Sequence, residues 1–332
     1  TRNGKRLLWT LSIVTLVISA NLDNLTTTLM MLVIMRKIIP NRRQRMIFGS
    51  AIVIAANCGG VMTVIGDPTG LMLWNNGFVS ATHYSMTLVV PCLVAWLVPT
   101  LWLSHCTPSR VETEWITMPY RGDDTRLNVW QRLLMLFVGI GGLWFIPTFH
   151  NITKLSPFLG ALCVLGVLWI VNEAFNRKLM NMDAMERRRM PQALFYGNHQ
   201  LILFVMGTIL ALGVVKETGI LAQFWELLQG MAVADWTLGL CAGVISSFLD
   251  NFATAASFIS VNPSAEMNAA YWNLVAYGAA IGGNVLAIGS VAGMTLMKTE
   301  RIHMGWYFKN VGSMAAIGAA MGYLVLVLTL YV

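Results

Sequence analysis

Residues 19–26 read Ser-Ala-Asn-Leu-Asp-Asn-Leu-Thr and stand between two apolar runs. Residues 246–254 read Ser-Ser-Phe-Leu-Asp-Asn-Phe-Ala-Thr between equally apolar arms, so Leu-Asp-Asn occurs twice in the same setting. An ionisable side chain at membrane depth is costly and usually functional. The two stretches therefore predict a duplicated polar site that includes Asp23, Asn24, Asp250 and Asn251.

A Gly-rich window follows each of these stretches about thirty residues later and interrupts an apolar segment. Residues 59–70 read Gly-Gly-Val-Met-Thr-Val-Ile-Gly-Asp-Pro-Thr-Gly, and residues 282–293 read Gly-Gly-Asn-Val-Leu-Ala-Ile-Gly-Ser-Val-Ala-Gly. A duplicated pair of interrupted helices is the best sequence pointer to the binding site of a transporter. The windows add four candidate ligands, Thr63, Asp67, Asn284 and Ser290. We assign the backbone breaks to Gly59, Gly60, Gly66, Gly282, Gly283 and Gly289.

The composition predicts an all-α polytopic membrane protein. The chain is 56% hydrophobic and 11% charged, whereas a soluble domain carries about 25% charged residues. The net charge of +7 is concentrated in short clusters between apolar spans, which is the positive-inside pattern. We therefore expect the lipid bilayer, and no nucleic acid, as partner. The five cysteines form no Cys-x-x-Cys motif, so neither a disulfide framework nor a resident metal or other cofactor is expected.

The apolar segments on either side of each Asp-Asn pair are too short to cross a membrane. A helix of about 13 residues reaches roughly 20 Å, and the hydrocarbon core is about 30 Å thick. We therefore predict re-entrant helical hairpins with tips at Asp23-Asn24 and Asp250-Asn251. Each repeat then contains one hairpin and one broken transmembrane helix. The predicted division is a first repeat over residues 1–106, a cytoplasmic linker over 107–128 and a second repeat over 129–332.

The basic residues give an independent prediction of topology. When the cluster at residues 36–45 is placed in the cytoplasm and each hairpin returns to its own side, all 22 Lys and Arg residues except Lys154 and Lys216 are cytoplasmic. The two hairpins then enter from opposite sides, which makes the repeats inverted. The C-terminus is predicted to be periplasmic. Because the second repeat has three spans before its hairpin and the first has none, roughly a hundred residues, enough for three or more spans of about 20 residues, are expected upstream of Thr1.

The candidate side chains suit a small hard cation. Carboxylate, amide and hydroxyl oxygens bind Na⁺ or similar ions rather than soft metals. Burial raises the pKa of a carboxylate, and a carboxylate that titrates near neutral pH can exchange a proton for Na⁺. A plainer interpretation stays open, in which Asp23 and Asp250 are the N-caps of the return helices. Asp67, which precedes Pro68, would likewise cap a half-helix, and the glycines would serve close packing.

Residues 20–28, 57–67, 249–251 and 282–293 together resemble the NhaD-type sodium/proton antiporters of the ion transporter superfamily. The resemblance implies two inverted repeats and a homodimer in which a transport domain moves as an elevator against a scaffold. By this analogy the scaffold includes residues 84–103 and the final span. It also implies an ion site for Na⁺ lined by Asp23, Asn24, Asp67, Asp250 and Asn251.

The leading hypothesis is a secondary transporter, not an enzyme, that exchanges Na⁺ or Li⁺ for H⁺ across a bacterial inner membrane. A Na⁺-coupled carrier of organic anions or an arsenite carrier of the same superfamily is the alternative. Related dicarboxylate carriers have Ser-Asn-Thr at the tips, and aspartates there would repel an anion. An intramembrane aspartyl protease is a remote alternative, since its Gly-x-Gly-Asp motif is replaced by Val64-Ile65-Gly66-Asp67. A channel or a receptor is a further possibility, which the inverted repeat disfavours.

Overall fold

The computed structural model describes residues 3–108, 111, 129–153, 155–176, 199–220, 223, 226, 234–261 and 265–331, and its regular structure is helical. The helices are α1 (Gly4–Ser19), α2 (Asn24–Ile38), α3 (Arg42–Val61), α4 (Pro68–Asn75), α5 (Ala81–Cys106), α6 (Val129–Thr153), α7 (Pro157–Asn176), α8 (His199–Glu217), α9 (Asp235–Phe248), α10 (Asn251–Val261), α11 (Ala270–Gly282), α12 (Val291–Glu300) and α13 (Met304–Tyr331). A 3₁₀ turn precedes α12, and α13 contains a π-helical segment at Phe308–Gly312.

The two predicted hairpins are helix pairs joined by very short tips. Asp23 is the N-cap of α2, where its Oδ2 atom accepts the Thr26 N–H at 3.0 Å. Asp250 stands directly before α10, and its Oδ2 atom accepts the Phe252 N–H at 3.1 Å. The first arms, α1 and α9, have 16 and 14 residues, so each rises only about 21–24 Å. Each aspartate therefore has the capping role, and each first arm is shorter than a membrane crossing.

The two predicted broken helices are also interrupted. α3 ends at Val61 and α4 begins at Pro68, with Asp67 as N-cap accepting the Thr69 N–H at 3.0 Å. α11 ends at Gly282 and α12 begins at Val291, with Ser290 as N-cap accepting the Gly293 N–H at 3.0 Å. A polar side chain thus opens the second half of each broken helix.

The glycines of the two windows permit close backbone packing rather than unusual backbone angles. Among the described glycines only Gly77 and Gly219 have positive φ. Gly59 and Gly60 lie inside the last turn of α3. A Cβ atom on Gly66 would lie 2.6 Å from the carbonyl oxygens of both Gly60 and Ser19. Any side chain at that position would therefore push the first hairpin away from the first break.

The two halves of the described fold repeat the same order of elements. In both halves a hairpin (α1–α2 and α9–α10) precedes a broken helix (α3–α4 and α11–α12) and a long helix (α5 and α13). The hydroxyl of Ser19 donates to the Ala56 carbonyl at 2.6 Å, and the hydroxyl of Ser246 donates to the Ala279 carbonyl. Each serine ends or nearly ends the first arm of its hairpin, so equivalent hydrogen bonds attach each hairpin to its broken helix.

α5 and α13 pack against each other and against the elements of the predicted site. Trp96 donates from Nε1 to Ser12 Oγ at 2.8 Å, which joins α5 to α1. Tyr277 donates to the Ala319 carbonyl at 2.9 Å, which joins α11 to α13. These bonds place both long helices in the same compact unit as the hairpins, whereas the family analogy assigned them to a separate scaffold.

The chain divides into two compact units, which differ from the predicted sequence repeats. One unit is Thr1–Trp115 with Met206–Val332, and the other is Ile116–Val205. Within the second unit α6 packs on α7, where Gly142 faces Val164 and Gly160 faces Phe149. Most of the predicted linker at 107–128 lies outside the described residues, and the repeat boundaries stay a prediction.

Three described helices are long and apolar enough to cross a membrane. They are Ala81–Cys106, Phe158–Phe175 and Met304–Tyr331. Large apolar side chains such as Met86 and Val17 are exposed on the helix surfaces, where lipid tails would solvate them. These helices agree with the expectation of a multi-pass membrane protein.

Candidate ion-binding site

Asp67 is the centre of a buried polar cluster between the two hairpin tips. Its Oδ1 atom accepts hydrogen bonds from Asn24 Nδ2 at 2.6 Å and from Asn251 Nδ2 at 3.0 Å. Its Oδ2 atom accepts the Thr69 N–H. Asp67 is 1% exposed, so this carboxylate is removed from solvent and is stabilised by three donors from three different helices.

Asn57, in the last two turns of α3, connects this carboxylate to the second break. Its Nδ2 atom donates to Asn284 Oδ1 at 2.8 Å and to Ser290 Oγ at 3.0 Å. Its Oδ1 atom accepts from Asn24 Nδ2 at 3.4 Å. The cluster therefore contains Asn24, Asp67, Asn251, Asn284 and Ser290 of the predicted site residues, and Asn57 in addition.

Asp23 and Asp250 directly precede Asn24 and Asn251 of this cluster. They differ from Asp67 in the hydrogen bonds that their carboxylate oxygens accept. The Oδ2 atom of each caps its own return helix. The Oδ1 atom of each is buried and has no hydrogen-bond partner among the described residues. A buried polar atom without a partner is costly and calls for an explanation. A bound cation would supply the missing partner.

Buried hydroxyl groups without partners lie on the helix that Asp23 opens. Within the described part of the chain, Thr27 and Thr28 of α2 are fully buried, and neither of their Oγ1 atoms has a hydrogen-bond partner. A hydroxyl can act as a ligand for Na⁺ or bind an ordered water. The polar lining of this region therefore extends beyond the residues that hydrogen-bond each other.

Thr63 is placed differently from the other predicted ligands. Its hydroxyl donates to the Ala20 carbonyl at 2.5 Å and accepts the Gly66 N–H at 3.2 Å. These two bonds attach the first tip to the first break. Thr63 therefore stabilises the packing of the tip against the break and forms no hydrogen bond with the described residues of the cluster.

The site contains acidic and neutral groups and no basic partner. In the described ranges the ion pairs are those of Glu300 with Arg36 and Arg45, so none of the three aspartates is neutralised by an ion pair. The same ranges hold no group of three His, Cys, Asp or Glu residues that could bind a metal ion. A cation here would therefore be bound by single carboxylates together with amide and hydroxyl oxygens, a donor set typical of hard ions.

A family model described as citrate transporter matches residues 1–282 of this chain. The chain belongs to the citrate transporter family. Sodium/proton antiporter 2 of Arabidopsis thaliana is 32% identical over 330 residues, which cover 97% of this chain and 76% of the plant protein. Sodium/proton antiporter 1 of the same plant is also 32% identical, over 97% of this chain and 55% of its own length. The Na⁺/H⁺ antiporter NhaD of Vibrio cholerae is 28% identical over 89% of this chain and 64% of its own length.

These relatives confirm the resemblance to NhaD-type antiporters that the motifs predicted. The chain spans only about half to three-quarters of the length of these relatives. The family is one of membrane transporters, in agreement with a multi-pass membrane protein. The relatives are named as antiporters and not as enzymes.

Proposed function

We propose that this protein is a secondary transporter that exchanges Na⁺, or Li⁺, for H⁺ at the cluster around Asp67. The observation that carries the proposal is that a single buried carboxylate is held by Asn24 from one hairpin tip and by Asn251 from the other. Relatives named as sodium/proton antiporters support the choice of cargo.

The exchange rests on competition between two cations for one carboxylate. A buried carboxylate is stable when it holds a proton or when a metal cation neutralises it, and an unpaired buried charge is costly. Na⁺ that enters from one side therefore displaces the proton of Asp67, and a proton that enters from the other side displaces Na⁺. The unpartnered oxygens of Asp23 and Asp250 would supply further ligands for the ion.

Contacts between loops support the proposed inverted topology. Two segments predicted to be cytoplasmic meet, since Arg42 Nε donates to the Glu300 carbonyl at 3.1 Å. In the same topology the segment after α4 and the segment after α10 both lie on the opposite side, and they also meet, since Asn268 N donates to the Phe78 carbonyl at 2.8 Å. With this topology the hairpins enter the membrane from opposite sides, as re-entrant loops of two inverted repeats.

Alternating access would then move the cluster as one body. The hydrogen bonds of α5 and α13 to the hairpin and broken helices imply that both long helices travel with the site in an elevator motion. A homodimer would provide a fixed partner for that motion. A bacterial inner membrane, with basic loops cytoplasmic and the C-terminus periplasmic, remains the proposed location, although relatives occur in both plants and bacteria.

An organic anion is the second candidate cargo, because the matching family model is described as citrate transporter. The cluster argues against it. A tricarboxylate needs cationic or N–H donors, and in the described residues the amide N–H groups of Asn24, Asn57 and Asn251 are already directed at Asp67, Asn284 or Ser290. A Na⁺-coupled anion carrier would need this network to be rearranged.

Proton flux in proteoliposomes tests the proposal. Purified protein is reconstituted with an internal pH-sensitive dye, and NaCl, LiCl, KCl, potassium citrate or NaCl together with potassium citrate is added outside. Na⁺/H⁺ exchange predicts alkalinisation of the lumen when NaCl or LiCl is added, because protons leave as the cation enters, without any need for citrate. If flux requires citrate, the organic-anion function replaces the proposed one. If neither NaCl nor LiCl changes the internal pH, the antiport function is rejected.

A further inference from the structure

A polar cavity lies where the end of α2 and the start of α3 meet the end of α12. The cavity has a volume of about 290 Å³ and is lined by Arg36, Arg42, Arg45, Thr299, Glu300 and Arg301. Four guanidinium groups and one carboxylate therefore share a space large enough for several water molecules. Its lining carries a net charge of +3, from four arginines and one glutamate.

Glu300 already forms ion pairs with two of the arginines. Its side chain is 1% exposed, with Oε1 2.9 Å from Arg36 Nε and Oε2 3.0 Å from Arg45 Nε. One carboxylate cannot neutralise four guanidinium groups. Like charges held this close repel one another, more strongly where solvent is partly excluded, so the cavity favours an additional anion.

Backbone carbonyls hold the arginine side chains in position. Arg42 donates to the carbonyls of Glu300 at 3.1 Å and Arg301 at 2.9 Å, and Arg36 donates to that of Thr299 at 3.2 Å. Arg45 donates from Nη1 to the Pro40 carbonyl at 2.5 Å. In the described part of the chain, Nη1 of Arg36, Nη1 of Arg42 and Nη2 of Arg45 have no hydrogen-bond acceptor. Donors that are fixed in advance bind a ligand at a lower entropic cost.

We propose that this cavity binds a phosphate-bearing anion, either free phosphate or the head group of an anionic phospholipid. Guanidinium groups bind phosphate oxygens through paired hydrogen bonds, and basic residues at the membrane surface attract anionic lipids. Because Arg36, Arg42 and Arg45 belong to the first half of the fold and Glu300 and Arg301 to the second, the bound anion connects the two halves. The site is separate from the proposed transport site and does not depend on sodium exchange.

Two arginine variants separate this cavity from the general positive charge of the surface. Arg301→Gln removes one charge from the cavity lining and leaves the hydrogen bonds of Arg36, Arg42 and Arg45 in place. Arg43→Gln is the matched control, because Arg43 is also exposed, lies next to Arg42 and does not line the cavity. Arg42→Gln is a second test variant that removes a donor as well as a charge.

Phosphate binding is measured by calorimetry and by thermal unfolding of the purified protein in a neutral detergent, with potassium phosphate against potassium chloride at matched ionic strength. We expect phosphate to raise the melting temperature of wild type, and Arg301→Gln to weaken binding about tenfold, which is roughly 1.4 kcal/mol. Arg43→Gln should change binding less than twofold. Equal weakening by both variants, or no phosphate binding together with no lipid binding, would overturn the proposal.

Nanodiscs distinguish the two sources of the phosphate group. The protein is placed in phosphatidylcholine discs with or without phosphatidylglycerol, and bound lipid is counted after mild delipidation. Retention of phosphatidylglycerol by wild type and by Arg43→Gln, but not by Arg301→Gln, identifies a lipid head group. Binding of free phosphate that is unaffected by phosphatidylglycerol identifies a soluble anion.

Discussion

Asn251 donates a hydrogen bond to Asp67 over 3.0 Å, although 184 residues separate them in the chain. The same carboxylate oxygen accepts a second hydrogen bond from Asn24 of the other hairpin tip. Asp67 therefore lies where both tips and the first broken helix meet. An ion that binds Asp67 would alter hydrogen bonds to both halves of the fold.

The tip aspartates allow capping to be separated from ion binding. Asn caps a helix about as well as Asp, so Asp23→Asn and Asp250→Asn should fold with melting temperatures close to that of wild type. Each change removes one negative charge and alters a buried oxygen that has no partner among the described residues. We expect Na⁺-dependent flux to fall at least tenfold in either variant, measured in the proteoliposome assay.

The control for these variants is Glu266→Gln, which makes the same chemical change at an exposed side chain. Its flux should equal that of wild type. Full activity in Asp23→Asn and Asp250→Asn would mean that the two aspartates serve only as caps.

Asn57 is predicted to hold the cluster together. Asn57→Ala leaves Asn284 Oδ1 and Ser290 Oγ without the donor they now share, and a buried group that loses its partner costs about 1–3 kcal/mol. We expect the KM for Na⁺ to rise about tenfold with a smaller change in maximal rate. Ser50→Ala is the control in the same helix, because Ser50 is buried and its hydroxyl donates to the Met46 carbonyl one turn earlier. An unchanged KM in Asn57→Ala would remove Asn57 from the site.

Gly66 is predicted to be intolerant of any side chain. The Cβ atom of alanine would meet two carbonyl oxygens at 2.6 Å, and overpacking of this kind costs about 1–3 kcal/mol. Gly66→Ala should lower the melting temperature and reduce flux together, measured by fluorescence-detected unfolding and the dye assay. Gly305→Ala is the control, since its Cβ has no neighbour within 4 Å. Equal stability of the two variants would contradict the close packing of tip and break.

Glu300 is predicted to stabilise the junction of the two halves. Glu300→Gln removes the charge that faces Arg36 and Arg45 and leaves their guanidinium groups together. Arg36 is about half exposed, so solvent reduces the cost, and we expect a loss of about 1–3 kcal/mol from the partly buried pair. The melting temperature should fall by several degrees, while the variant retains the KM for Na⁺ of wild type. A melting temperature equal to that of Glu266→Gln would show that the ion pairs contribute little.

Local patterns predicted the elements that carry the site. The duplicated Asp-Asn pairs marked both hairpin tips, because a charge within an apolar run is costly and is seldom kept without a function. The repeated glycine windows marked both broken helices. The first break begins only after Val61, because Gly59 and Gly60 serve the approach of neighbouring backbone and remain helical.

Local sequence patterns could not predict which distant segments are in contact. Asn57 stands in an apolar helix without a glycine or proline beside it, and its bond to Asn284 spans 227 residues. Two signals point to Asn57, because it begins the segment 57–67 that carries the family resemblance and lies two residues before Gly59 of the predicted break. The arginines at residues 36–45 were interpreted only as a topology signal. Their hydrogen bonds to the end of α12 depend on how the two halves pack against each other. The distribution of charge along the chain gives no information on that packing.

Equilibrium binding of ²²Na⁺ to the purified protein, measured as a function of pH, tests most directly whether Na⁺ and H⁺ share Asp67. Wild type should bind Na⁺ saturably, and its affinity should fall as the pH is lowered because protons compete for the same carboxylate. Asp67→Asn should bind at least tenfold more weakly and lose the dependence on pH, while Glu266→Gln should match wild type. Saturable Na⁺ binding in Asp67→Asn with the wild-type affinity and pH dependence would contradict the central claim.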